Sequence, residues 1–153
     1  MFNFFRKKAV DFFSPEEKEL ITSSIQNAEK QTSGEVRVFI ESKCTYVNAL
    51  DKAIELFNKL NMQQTAQRNA VLVYIALNDK QLAVFGDEGI HQKVGDVFWN
   101  DAVQKMLNHF NKENYAVGIA QMVTEIGQAL QHHFPHDKKT DVNELPDDIV
   151  FGR

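Results

Sequence analysis

The chain has 153 residues, 43% hydrophobic and 25% charged, which describes one soluble globular domain. Its single cysteine, Cys44, excludes a disulfide framework and a multi-cysteine zinc site. A formal charge of −4 and a pI near 5.7 argue against nucleic acid as a partner, and no apolar run reaches the ~18 residues that a membrane span needs.

In residues 1–13, five phenylalanines flank the basic triplet Arg6-Lys7-Lys8. A secretory leader sets its charges before an apolar stretch, and no such stretch follows, so a cytoplasmic protein is expected. The aromatic and basic segment offers weak contact with a membrane surface; packing of its rings on the domain is the favoured reading. Residues 14–136 carry the regular pattern. Ser14-Pro15-Glu16-Glu17 is a helix start with a cap, a proline at the first position and a capping box. Leu20, Ile21, Ser24, Ile25 and Ala28 follow at helical spacing, and Thr32-Ser33-Gly34 ends the helix.

Glu35–Glu41 alternates as a strand, with Val36, Val38 and Ile40 on one face. The spacing of Leu50, Ile54 and Phe57 predicts a helix over 48–60 that buries these three. Residues 69–77 are nearly continuously apolar, the mark of a strand covered on both faces. Asn78-Asp79-Lys80 turns the chain, and residues 81–85 return as an antiparallel partner. Gly86-Asp87-Glu88-Gly89 reads as a flexible acidic loop. A helix over 96–112 is predicted to bury Trp99, Val103, Met106 and Phe110, and one over 114–134, closed by Pro135, to bury Tyr115, Ile119, Met122, Ile126 and Leu130. Residues 137–153 are charged and read as a tail, from which Ile149-Val150-Phe151 could dock on the domain.

This order gives an α/β sandwich. The two long strands are joined through a helix, so they are predicted parallel, with the third strand antiparallel in a mixed sheet. That topology sends Glu35, Arg68, Asn69, Asp87 and Glu88 to one sheet edge, with Asp96 one short loop further on. Four carboxylates gathered around one guanidinium repel each other unless a cation lies among them. Calcium takes 6–8 oxygen ligands of this kind, and Asn69 adds an amide oxygen. The plainer alternatives are that Asp96 caps a helix, that Glu35 is a solvated strand end, and that Arg68 neutralises Asp87 or Glu88 directly. His132, His133 and His136 do not make a zinc site, because Pro135 interrupts their helix and no cysteine is near.

The run from Arg68 to Lys80, followed by Phe85-Gly86-Asp87-Glu88-Gly89-Ile90, resembles the TPM-domain family. Gly34-Glu35-Val36 and Tyr115-Ala116-Val117-Gly118-Ile119 are similar to two further segments of its pattern, and Asp96 falls where that pattern has an Asp. The similarity covers about residues 14–134. It implies a three-layer α/β/α sandwich with a central mixed sheet. It also implies divalent-cation binding, calcium or magnesium, with Asp87 and Asp96 as leading ligands, then Glu88 and Glu35. A plant relative in this family is described as an acid phosphatase. Many relatives carry a signal peptide and a membrane anchor, and many have Gly-aromatic-Gly where this chain has Gly86-Asp87-Glu88-Gly89.

Two functions follow as expectations. The first is a non-catalytic, cation-binding interaction or regulatory module with a protein partner. The second is a metal-dependent phosphatase, with Arg68 holding phosphate and Asp87 or Asp96 as base. Whether the chain is an enzyme stays open at this point.

Overall fold

Ser14 opens the first long helix as its sequence predicts. Its hydroxyl accepts from the Glu17 N–H at 3.1 Å, and the Glu17 carboxylate accepts from the Ser14 N–H at 2.9 Å, which satisfies two donors that a helix start otherwise leaves unpaired. The computed structural model describes residues 8–136 and 149–152. The predicted roles of Phe2, Phe4 and Phe5 and of residues 137–148 lie outside the described residues.

The described elements run α1 (Ala9–Phe12), α2 (Pro15–Lys30), β1 (Glu35–Glu41), α3 (Ala49–Lys59), β2 (Ala70–Ala76), β3 (Gln81–Gly86), α4 (Glu88–Asn111), α5 (Tyr115–His133) and β4 (Val150–Phe151). The strands form one sheet in the order β3-β2-β1-β4. β1 is parallel to β2, pairing Glu35 with Ala70, and β3 is antiparallel to β2, pairing Val71 with Gly86. β4 runs parallel to β1 beside Phe39 and Ile40. Thus the last apolar triplet ends in a short strand, while the sequence read it within a tail.

Alternation sorts the strand side chains into two cores. Val36, Val38, Ile40, Val71, Val73, Ile75, Leu82 and Val84 face α2, α4 and α5, together with Ala9 and Phe13. Phe39, Leu72, Tyr74 and Ala83 face α3, which supplies Ala53, Leu56 and Phe57. The sheet is therefore covered on both faces, a three-layer α/β/α sandwich. Every residue of β2 is buried, as its unbroken apolar run requires.

Three details depart from the sequence reading. The stripe that α3 buries is Ala53, Leu56 and Phe57, while Leu50 is exposed and Ile54 half-buried. Val103 of α4 and Tyr115 of α5 are likewise only half-buried. Residues 87–95 are not a flexible loop: Asp87 is the N-cap of α4, and the helix runs from Glu88 with one break at Gly95. Gly95 has φ 76°, a conformation that suits glycine, and it re-aims the helix so that the Trp99 segment covers β3. Gly89 meets a different demand. A Cβ there would lie 2.2 Å from the Gln67 carbonyl, so only glycine lets the start of α4 press against the backbone of residues 67 and 68.

Candidate functional site

The sheet edge predicted to gather polar residues does so along the backbone. The Glu35 N–H donates to the Asn69 carbonyl at 3.4 Å, and the Asp87 N–H donates to the Ala70 carbonyl at 2.9 Å. Glu35, Asn69 and Asp87 are thus successive stations along one end of the sheet. Their side chains part company. Glu35 is buried on the α3 face of β1, in alternation with Val36. Asn69 is buried as well, its Nδ2 donating to Ser33 Oγ at 3.2 Å. Neither lines the large groove described next.

That groove, of about 740 Å³, runs beside β3 between α3 and α4. One end of it holds Arg68, Asp87, Glu88, His91 and Asp96. Arg68 sits in a left-handed turn (φ 52°) whose N–H donates to the Thr65 carbonyl at 3.2 Å. From there its guanidinium donates to both Asp87 oxygens, Nε to Oδ2 at 2.6 Å and Nη2 to Oδ1 at 2.8 Å, and to Glu88 Oε1 at 3.0 Å. Bidentate, charge-assisted pairing of this kind is the strongest that a surface arginine makes. Asp87 beside it raises the Arg68 pKa above its ordinary value. The Asp87 side chain is only 4% exposed, and its Oδ1 also accepts from the Glu88 N–H at 2.8 Å. The carboxylate is therefore held at the positive end of α4 and by a fixed cation.

Asp96 lies just past the Gly95 break, 85% exposed, with Oδ1 at 3.5 Å from His91 Nε2. Trp99 Nε1 donates to His91 Nδ1 at 3.0 Å. The indole donor occupies Nδ1 and leaves the imidazole proton on Nε2, on the side of Asp96. His91 was not singled out in the sequence, and Trp99 was read as core alone. A glycine inside an apolar helical pattern, with His and Asp on either side of it, was the signal available.

Of the five predicted ligands, the groove unites Asp87, Glu88 and Asp96 and leaves out Glu35 and Asn69. Among the described residues, no three His, Cys, Asp or Glu side chains stand together as a preformed metal cage. The cation found between Asp87 and Glu88 is Arg68, which neutralises both carboxylates directly. Three carboxylates nevertheless share the groove end with that one guanidinium. Among the described residues, no helix is long and apolar enough to cross a membrane.

Comparison with known proteins gives the family. The BA42 protein from the psychrophilic bacterium Bizionia argentinensis, solved by NMR, is similar in structure with a TM-score of 0.84 at 36% identity, over 93% of this chain and 97% of that one. The N-terminal domain of a Porphyromonas protein, from P. gingivalis, shares the fold at a TM-score of 0.68 and 18% identity, over 83% and 84% of the two chains. The N-terminal domain of the cg2496 protein from Corynebacterium glutamicum does so at 0.62 and 13%, over 78% and 74%. No functionally curated protein matches the chain. The model of the TPM domain matches residues 7–129, and with the likeness to BA42 it establishes that the chain belongs to the TPM domain family.

Proposed function

We propose that this TPM domain is a non-catalytic binding module in which a divalent cation, calcium or magnesium, competes with Arg68 for Asp87, Glu88 and Asp96. The observation that carries this reading is the imbalance at the groove end: three carboxylates face one guanidinium, and Glu88 and Asp96 are largely exposed. Carboxylate oxygens suit a hard cation. The donor set is not preformed, since both Asp87 oxygens are taken by Arg68. Binding then requires the guanidinium to give way, which places the affinity in the weak, millimolar range of loosely built calcium sites.

A metal-dependent phosphatase stands behind this as the second reading. Its proposed phosphate anchor, Arg68, has Nε and both Nη groups committed to carboxylates. Its nearest imidazole, His91, has Nδ1 occupied by the Trp99 indole N–H. No other feature of the groove favours it over binding.

The test is a calcium titration of the metal-free protein, followed by backbone amide shifts. Saturable shifts around Glu88 and Asp96 are expected near ~1 mM calcium. Arg68→Gln removes the competing charge and is expected to tighten calcium by about tenfold. Absence of saturable shifts in both the wild type and Arg68→Gln at several times that concentration overturns the reading.

A further inference from the structure

The sheet has two edges, and the β3 edge carries unpaired backbone. Two bonds fix its phase. Asp87 N–H donates to Ala70 O, and Leu77 N–H donates away from β3, to Glu41 O of β1, at 2.9 Å. In an antiparallel ladder, residues alternate between pointing their amide groups at the partner and pointing them away. Gln81, Ala83 and Phe85 therefore bond β2, and Leu82, Val84 and Gly86 turn three N–H and three C=O groups outward. No described strand pairs with them, since β3 ends the sheet, and Leu82, Val84 and Gly86 lie buried at the floor between α3 and α4.

These outward groups open into the groove. Its walls are apolar side chains that sequence periodicity assigned to the core: Leu50 and Ile54 from α3, on one face of the sheet, and Val103 with Trp99 from α4, on the other. An exposed edge is a template for another strand, and proteins ordinarily cover or blunt it. Here helices flank the edge on both faces and leave it without a strand partner, reached only from the floor of the groove. The spacing of the outward groups, at every second residue, fits an extended chain and no other regular structure.

We propose that this groove receives an extended peptide segment of a partner protein as a fifth strand. The segment alternates apolar side chains, which reach Leu50 and Ile54 on one face and Trp99 and Val103 on the other. It carries a lysine or arginine at the end beside Gly86. The charge follows from Asp87, Glu88 and Asp96, whose negative charge exceeds that of the single Arg68. A second copy of this chain fits less well. Its own β3 edge is flanked by its own α3 and α4, and the four helices would meet before the two strands closed to the ~4.8 Å ladder spacing. Main-chain bonds would give the affinity and the two walls the specificity, as in other strand-addition complexes.

The experiment selects a displayed library of random decapeptides on the full chain with a chelator present, so it does not depend on the cation reading. The expected selection is for a run of consecutive β-branched or aromatic residues, successive ones facing opposite walls, with a basic residue at one end. A selected peptide is expected to slow amide exchange at Leu82, Val84 and Gly86. Glu88→Lys combined with Asp96→Lys changes two exposed side chains, and the amide spectrum reports whether the fold is kept. This double variant is expected to weaken the peptide by about tenfold or more, the effect of ~1.4 kcal/mol. The proposal is overturned by a selection with no such pattern, by protection at other amides, or by indifference to charge reversal in the folded variant. Protection of Leu82, Val84 and Gly86 that rises with protein concentration and needs no peptide also overturns it, in favour of a second copy.

Discussion

The two edges of this sheet are treated in opposite ways. Beyond β1, the chain supplies its own cover: Val150 and Phe151 pair with Phe39 and Ile40, the Gly152 N–H donates to the Ile40 carbonyl at 2.8 Å, and Lys18 Nζ lies 5.6 Å from the centre of the Phe151 ring. Beyond β3, two helices flank the faces, and the edge, though buried at the floor of the groove, has no strand partner among the described residues. A short edge strand costs little to build and satisfies the backbone it covers. The contrast teaches that the unpaired edge is a property of the β3 side, where the same groove holds the acidic residues.

The largest effect is expected on the open side. Trp99 is nearly buried over Gly86, where an added Cβ would lie 2.3 Å from the indole ring. Trp99→Ala empties that space and frees the His91 Nδ1 lone pair. It is expected to cost about 3–5 kcal/mol in urea unfolding and to abolish strand addition. A loss below ~1 kcal/mol would mean that α4 holds its place without the indole.

The closed side should yield less. A chain ending at residue 148 loses β4, the three half-buried apolar side chains of Ile149, Val150 and Phe151, and the ladder bonds. The expected cost is about 2 kcal/mol by the same measurement. Amide exchange at Ile40 should speed up, because the parallel ladder pairs that residue with Phe151. Unchanged exchange at Ile40 would show that β4 contributes no protection.

What was legible in the sequence differs between the backbone and the side chains. The layers were readable because strand alternation and the unbroken run in β2 reflect burial directly, and the Ser14 capping box is a local device. The direction of the strands was readable too, so the backbone meeting of Glu35, Asn69 and Asp87 was foreseen. Where their side chains point was not. Alternation turns Glu35 to the α3 face, and the left-handed turn at Arg68 aims a guanidinium that no pattern announces. Asp87-Glu88-Gly89 misled because an N-cap and an acidic loop use the same residue types. Gly89, placed by its sequence in a flexible loop that carbonyls can approach, meets the Gln67 and Arg68 carbonyls at the start of α4. Leu50, Ile54 and Val103 were assigned to the core because periodicity marks an apolar face without saying whether anything covers it. At the β3 edge, nothing among the described residues fully does.

The smallest effect compares the two ends of the strands. At the end beside Gly86, Asp87 is held by Arg68. At the other end, Glu41 is held by the Tyr74 hydroxyl, which donates to its Oε2. Burial, with the Glu41 carboxylate adding to it, pushes the Tyr74 pKa well above its ordinary value. An unfolded tyrosine ionises near pH 10. Below that pH both states keep the proton, and the phenol's stabilisation is fully present. Above it the unfolded state loses its proton first and binds fewer, so folding stability falls as pH rises. Tyr74→Phe removes the hydrogen bond and is expected to cost about 1 kcal/mol near neutral pH. It also removes this alkaline loss. The gap between wild type and variant in urea midpoints should therefore hold from about pH 7 to 9 and narrow above about pH 10. The Arg68 end should not respond in that window, because its guanidinium stays protonated there. A gap that is constant through pH 11 would mean that the phenol ionises alike in the folded and unfolded chains, and Glu41 would then lose its place as the counterpart of Asp87.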